Sequence, residues 1–552
     1  MILNDYGVII IKLPADGNNS ENSRHFMKKS KTLFGQFGEL LKNEFKGYNG
    51  KSLLSDIIAG ITVGAVALPL ALAFGAASVG NANPSIGIVA GMITAIIAGI
   101  VSGLLGGGSF QISGPTGAMT AILGTVVGKY GLEGMFAASL VAGIILLVAG
   151  ILHFGKVIKF IPKPVVTGFT SGIAIVIALG QLGNFFGVKL SGETTIDKVI
   201  YLFTNCLADI SFAAIICSLA VVLLMAIYPK KAAKYIPGSL AAIIIITVIT
   251  ALFKVPVETI GAIPSTLINS EHLSFANINF ELIKNVASPA ITIALLGMVE
   301  SLLCGACAAN MKKEPFNSNI ELVAQGVNNV IIPFLGGVPS TAAIARTSVA
   351  IKSGGKTRLA SLFHSVFLIA CMFVLSGAIG LVPYAALAGV LIMTAIRMNE
   401  FDAIKCYFKN KMWAPIAQFL ITMVATVLLD LTYAIIIGVL LSFIIYFIKT
   451  SKLGGKQKTL SVEKNLENGN ATVKVSGVCF FANADKLMSA TVGLDEAASV
   501  KIDLGNLVYA DYTACETLCE LFGNLKEFGK DVEFINTPED TDKTIKRIGI
   551  HA

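Results

Sequence analysis

The sequence predicts a polytopic α-helical membrane protein of fourteen transmembrane segments, built as two inverted halves of seven, with a small α/β domain appended. Three observations carry that reading. Of 552 residues, 54% are hydrophobic and only 14% charged, with 54 glycines; no soluble class has such a composition. Fourteen apolar runs of spanning or near-spanning length follow one another along the chain. Two of them, the third and the tenth, are interrupted in the same way, and they occupy equivalent places if the chain divides seven plus seven.

Residues 1–51 hold a short apolar run from Val8 to Leu13 and then a polar, basic stretch with Arg24, Lys28, Lys29 and Lys31. They read as a cytoplasmic tail, with an amphipathic helix over 34–45. The apolar runs of a transmembrane domain at 52–450 begin near Asp56, Ser85, Pro115, Leu132, Pro164, Ile210, Pro237, Pro289, Glu321, Pro339, Leu359, Ala385, Ala414 and Tyr433. Loops after even-numbered runs carry the basic residues, among them Lys156, Lys159 and Lys163, then Lys352, Lys356 and Arg358. The opposite loops carry only Lys129, Lys189, Lys198, Lys254 and Lys284. This asymmetry places both termini in the cytoplasm and the protein in the cytoplasmic membrane, in contact with its lipid. It also accounts for the net charge of +8 without a nucleic-acid partner.

The third run opens with residues 106–125, GGGSFQISGPTGAMTAILGT, and the tenth with 336–355, GGVPSTAAIARTSVAIKSGG. Unwound backbone at membrane depth is tolerated only where protein buries it or a cavity borders it. Pro115 suits a first helical turn, and the small residues after it, Gly117 first, leave backbone N–H groups open to an anion. An odd number of spans per half inverts the second half, so the two helix N-termini meet near mid-membrane with their positive dipole ends facing. Gln111, Ser113 and Thr116 supply hydrogen-bond donors at the first interruption; Ser340 and Thr341 either do so at the second or cap its helix.

Two ionisable residues lie inside spans: Glu300 in LLGMVESLLCGACA and Arg346 in TAAIARTSVAI. A charge at a helix centre costs about 2.5–3.5 kcal/mol on insertion scales, so such residues face a cavity or a partner. The two either neutralise each other, fixing helix packing, or Arg346 lends positive potential to an anion while Glu300 takes a coupling proton or cation. Cys304-x-x-Cys307 has no second pair nearby and reads as buried thiols rather than a metal site. The Gly-rich stretch 103–108 lacks the Lys and Ser/Thr of a phosphate-binding loop, so no cofactor and no enzyme activity are expected.

After a linker at 451–460 the composition becomes that of a soluble domain, 461–552. Strands are expected at 472–480, 500–504 and 532–535, and helices at 484–494, 514–528 and 541–548, an alternation that makes a small cytoplasmic α/β unit.

AVALPLALAFG at 65–75, SGPTGA at 113–118, IARTSVAIKSGGKTR at 344–358 and the α/β domain together resemble the SulP (sulfate permease) anion transporters, whose C-terminal domain is called STAS. The resemblance runs from about Ser52 to the C-terminus. It implies a core domain of spans 1–4 and 8–11, a gate domain of spans 5–7 and 12–14, a homodimer, and elevator-like transport of sulfate, bicarbonate, chloride or a dicarboxylate. Carried onto matching positions, it implies an anion site at Phe74, Thr116 and the backbone of Ala342 and Ala343. Glu300 and Cys304 fall where sodium-coupled bicarbonate members carry Asp and Thr as sodium ligands. Cys is a poor ligand for a hard cation and Arg346 repels one, so proton coupling or anion exchange is expected before sodium coupling. The phosphorylation motif Asp-Ser-Ser-Gly of related domains is altered to Asp511-Tyr512-Thr513-Ala514. The expected function is secondary-active transport of a small anion. The alternatives are sodium-coupled bicarbonate transport, a passive anion channel, a membrane-anchored signalling protein, and a nucleobase carrier, the last disfavoured by Arg346 and the appended domain.

Overall fold

A computed structural model describes residues 2–3, 8–10, 32–79, 84–155, 161–191, 195–229, 232, 236–261, 266–312, 314–429, 431–451, 459–467, 470–488, 494, 497–527 and 529–548. Most of the expected basic tail and most of the linker at 451–460 lie outside those residues.

Among the described residues, fourteen helical segments answer to the fourteen apolar runs. Spans 1 and 2 are Gly50–Val79 and Pro84–Leu105. Spans 3 and 4 form one run, Gly117–Ile151, broken at Gly131, whose φ of 69° is non-helical. Spans 5, 6 and 7 are Lys163–Gly180, Phe212–Ile227 and Gly238–Leu252. The second half holds Phe280–Lys312, Ser318–Ile331, Ile344–Lys352 and Leu359–Val374 as spans 8–11. Tyr384–Met398, Trp413–Leu428 and Leu431–Ser451 complete it. Six helices are long and apolar enough to cross a membrane, the fused third and fourth spans counting as one, and five more are shorter apolar helices. The eighth span begins ahead of its expected start at Pro289, because a proline removes one helical hydrogen bond while Asn279 Oδ1 accepts from Leu282 N (2.8 Å) and caps the earlier turn.

Packing separates the spans into two groups. Spans 1, 2 and 11 pack together, and spans 3, 4, 8 and 9 pack against one another, the fused third and fourth against span 1 and the ninth against span 2, forming the core. Spans 6, 7 and 12 and spans 5, 13 and 14 form the gate, and span 5 meets the core along spans 3 and 4. The ninth span is unlike the rest: Asn319, Glu321, Gln325, Asn328 and Asn329 are all buried, and Glu321, Gln325 and Asn329 brace the neighbouring unwound segments.

The C-terminal domain carries the three expected strands, an added edge strand and the helices Tyr512–Glu527 and Glu539–Ile548, whereas the helix expected at 484–494 is described only as Asp485–Met488, with 489–493 outside the described residues. Its sheet runs Ser461–Glu467, Asn470–Cys479, Ser499–Ala510, Asp531–Ile535, the first pair antiparallel and the others parallel. Alternate residues of the second strand are buried, and Val473, Val475 and Ile502 of the sheet share one core with Leu518 of the helix Tyr512–Glu527. Asp511 Oδ1 accepts from Ala514 N (2.8 Å) and caps the helix Tyr512–Glu527. That domain rests on the gate: Lys163 Nζ meets Glu516 at 2.5 Å, and the rings of Tyr407 and Tyr512 pack edge-to-face at 5.0 Å.

Ahead of the first span, the expected amphipathic helix is Leu33–Glu44. Phe34 is 90% exposed, whereas Glu44 pairs with Arg358 at 2.8 Å with both side chains nearly inaccessible. The Arg358 guanidinium also lies over the Phe37 ring, 5.3 Å from its centroid. Removing one partner of a buried ion pair costs about 3–5 kcal/mol. Glu44→Gln is therefore expected to lower the melting temperature of the detergent-solubilised protein; an unchanged melting curve would show that the helix is not anchored by this pair.

Candidate binding site between two interrupted helices

The two interruptions meet. Ser113–Gly114 and Thr341–Ala342 form a two-residue antiparallel ladder with Ser113 opposite Ala342 and Gly114 opposite Thr341, and Ala343 N donates to Ile112 O at 3.0 Å. Extended backbone inside a membrane must find partners within the protein; here each strand is the other's partner. The third and tenth spans therefore start side by side and run apart, with their N-terminal ends at the crossing.

Each helix begins where a side chain or the crossing takes over from intrahelical bonding. Thr116 is the N-cap of the third span, its Oγ1 accepting from Met119 N at 3.4 Å. Ala343 caps the tenth without a side-chain hydrogen bond. The carried-over backbone donors at Ala342 and Ala343 are already engaged, Ala342 N with Ser301 Oγ at 3.2 Å and Ala343 N with Ile112 O. In the first turn after them, Ile344 and Ala345 are exposed, and helix geometry leaves their N–H groups without intrahelical acceptors.

Several expected donors are turned into the protein. Gln111 Nε2 donates to Ser301 O (2.9 Å). Ser113 Oγ accepts from Gln325 Nε2 (2.7 Å). Thr341 Oγ1 pairs with Ser301 Oγ (2.9 Å), and Ser340 N donates to Asn329 Oδ1 (2.8 Å). Phe74 is buried, and its ring together with Ile177 covers Gly117: a Cβ on Gly117 would come within 2.6 Å of Ile177 Cδ1 and 3.2 Å of Phe74 Cε1. Phe74 belongs to the core and Ile177 to the gate, so this contact lies at the seam between them.

The two intramembrane charges are near the crossing but are not ion-paired. Arg346 is fully buried; its Nη2 donates to Pro115 O at 2.9 Å, while its Nη1 has no hydrogen-bond partner among the described residues. Glu300, half-buried, accepts at Oε2 from the Thr116 hydroxyl at 2.9 Å. Cys304, one turn further along the eighth span, is buried, and its thiol donates to Thr347 Oγ1 at 3.3 Å. Cys307 is exposed, so the two thiols of the Cys-x-x-Cys look into different surroundings.

One buried carboxylate is not evident from the sequence. Glu321, at the start of the ninth run, accepts from Gly107 N (2.9 Å) and from Gln325 Nε2 (2.8 Å). The signal for it is the triple glycine at 106–108, whose unwound N–H groups need an acceptor.

Comparisons with known proteins agree with this architecture. A family model described as the sulfate permease family matches residues 53–425. The putative sulfate transporter YvdB of Bacillus subtilis (strain 168) is 32% identical over 517 residues, covering 92% of this chain and 96% of that protein. The bicarbonate transporter BicA of Picosynechococcus sp. is 27% identical over 527 residues, covering 90% and 91%. Among solved structures, the transmembrane domain of a cyanobacterium bicarbonate transporter BicA superposes with a TM-score of 0.62 at 27% identity, over 70% of this chain and 98% of that one. The murine Slc26a9 anion transporter in its inward-facing state gives a TM-score of 0.68 at 17% identity, over 98% and 95%, a likeness of fold alone.

Gly114 is the tightest point of the crossing. Its φ is 156°, and a Cβ there would lie 2.6 Å from Arg346 Nη1. Gly114→Ala is expected to displace the guanidinium and lower the melting temperature, by an amount in the range of about 1–3 kcal/mol for overpacking. A variant as stable as the parent would mean that the backbone and Arg346 do not approach this closely.

Proposed function

The chain belongs to the sulfate permease family, and on that premise we propose that it is a secondary-active transporter of a small anion, sulfate or a related oxyanion or carboxylate. The observation that carries the reading is the crossing of the two short strands, which sets two helix N-termini and one buried guanidinium around the same point. Helix N-termini attract anions through unsatisfied N–H groups and the aligned peptide dipoles. A buried donor without a partner costs roughly 1–3 kcal/mol, and an anion oxygen would satisfy Arg346 Nη1. The substrate range is supported by relatives named as sulfate and as bicarbonate transporters.

In this reading the anion is held by the first turns of the third and tenth spans, near Phe74, Gly117, Ala342 and Ala343, with Arg346 supplying charge. Gln111, Ser113 and Thr341 hold the shape of the pocket through their bonds to Ser301 and Gln325. Thr116 links the anion to the coupling proton. While Glu300 is ionised it takes the Thr116 hydroxyl proton as an acceptor. Once protonated, Glu300 can itself donate to Thr116 Oγ1, which frees that hydroxyl to donate to the anion and removes a repelling charge. Proton and anion thus bind better together than either alone.

Sodium coupling is the second reading, raised by Glu300 and Cys304 falling where the family resemblance implies cation ligands. The Cys304 thiol, a soft group already donating to Thr347, and the nearby Arg346 count against it. The core carries the site past the gate in an elevator-like movement. The basic loops support a cytoplasmic location for both termini and for the α/β domain, and dimerisation belongs to the same proposal.

Uptake of labelled sulfate and bicarbonate into proteoliposomes tests the reading. An inward proton gradient or a counter-anion inside is expected to stimulate uptake of one of them, and a sodium gradient is not. Stimulation by sodium alone would establish the second reading, and no stimulation under any of these conditions would refute transport coupling. In Glu300→Gln, whose amide can donate to Thr116 permanently, anion binding is expected to survive while uptake loses its response to the proton gradient. Retained gradient dependence would remove Glu300 from the coupling. Hydrogen bonds to charged groups contribute roughly 1.5–3 kcal/mol, so Arg346→Ala is expected to raise the KM for the anion about 10- to 100-fold. An unaltered KM would reduce Arg346 to a packing role.

A further inference from the structure

A cavity of about 200 Å³ lies between the core and the gate. Its position follows from the fifth span. That helix starts at Lys163, against the α/β domain, and ends at Gly180, which lines the cavity. Eighteen residues of helix extend about 27 Å, so the cavity is on the side away from the α/β domain. Its floor includes Ile177, the gate residue that covers Gly117, and Thr120, one turn beyond the third-span cap. The space therefore leads directly to the helix ends.

The lining is mixed, with small and apolar residues between the polar ones, and its net charge is positive. Its charged members are Lys189, Lys198 and Glu258, two ammonium groups against one carboxylate. Lys189 and Glu258 are exposed, whereas Lys198, on the loop helix Thr195–Asn205, is half-buried. Among the described residues no carboxylate forms an ion pair with either lysine. Burial pushes the Lys198 ammonium below its ordinary value, because a charge withdrawn from water without a counter-charge is disfavoured. Gln181 and Asn184 add amide groups around the same space. A water needs on the order of 10–15 Å³ of such volume, so a small oxyanion fits with part of its hydration shell.

We propose that this cavity is an outer capture site, in which the ammonium of Lys198 holds a small oxyanion before it passes Ile177 to the crossing of the third and tenth spans. The inference rests on the anion-transport reading and assigns that reading a second, earlier stop. An excess of one sign of charge in a cleft concentrates counter-ions and speeds their arrival, and here the two ammonium groups outnumber the one carboxylate. Lys198 does this at the entrance, where Arg346 is too deeply buried to act. Glu258 at the rim keeps the net positive charge small, which favours capture that is easily released inward.

Two measurements on the full-length protein test it. In the first, purified protein is acetylated with an uncharged reagent, with sulfate or bicarbonate present or replaced by gluconate at equal ionic strength, and modification of Lys198 is followed by peptide mass spectrometry. One of the two anions is expected to slow Lys198 acetylation about tenfold when present at ten times its Kd, leaving Lys501 in the α/β domain unaffected. Equal rates in both anions and in gluconate overturn the capture site, whether or not the protein transports. Protection without uptake by the parent protein keeps the capture site and overturns the transport reading. In the second, Lys198→Gln is expected to raise the KM for uptake about tenfold, the lower end of the range for electrostatic focusing, and Lys198→Arg to restore it. An unchanged KM in Lys198→Gln overturns the proposal.

Discussion

Ser113–Gly114 and Thr341–Ala342 pair with each other in the middle of the membrane domain, and the site depends on that four-residue ladder. Neither strand could exist alone at that depth, since hydrocarbon offers its N–H and C=O groups nothing. Pairing solves that problem once and has several consequences. It brings two helix N-termini together from opposite directions, and it admits only glycine at 114, where Arg346 comes closest. It also demands support from outside the ladder. The ninth span supplies it with amides where a membrane helix usually has apolar side chains: Gln325 on Ser113, and Asn329 on both N–H and C=O of Ser340. Glu321 holds the preceding glycine turn at Gly107.

This bracing lies wholly within the core. At the seam with the gate the core meets Ile177, which covers Gly117 beside Phe74. The gate in turn carries the α/β domain through Lys163, Tyr407 and their partners Glu516 and Tyr512. The α/β domain also touches the short strand Ile2–Leu3, whose partner Val8–Ile10 pairs with Phe316–Asn317 of the core. The amphipathic helix Leu33–Glu44 is tied to the opposite partner, since Arg358 heads the eleventh span in the core.

The spans are legible in the sequence because a spanning helix writes itself as an apolar run bounded by Gly, Pro or charge. Even the interrupted pair can be located, since glycines and a proline at matching places break both helices at corresponding points. Side-chain partnerships are less legible. Glu300 and Arg346 are the natural pair on paper, yet Glu300 bonds Thr116 and Arg346 bonds a carbonyl. The ladder puts Pro115 O within reach of the guanidinium and the Thr116 cap within reach of the eighth span. Gln111 and Ser113 read as ligands because polar residues in an unwound segment invite that role, but the helices around them need those groups first. Glu321 is hidden at the edge of a run. The edge strand Ser461–Glu467 is hard to recognise because its residues are mostly polar and half of it faces solvent, although an Asn-Gly dipeptide after it is a known hairpin signal.

The proposed function requires a small anion between the N-terminal ends of the third and tenth spans. Crystals grown with selenate, the heavier analogue of sulfate, locate such an anion by its anomalous scattering. A peak is expected at the strand crossing, within hydrogen-bonding distance of the first-turn N–H groups of the tenth span and of the Arg346 guanidinium. A peak confined to some other part of the protein, with the crossing closed by packed side chains, would contradict it.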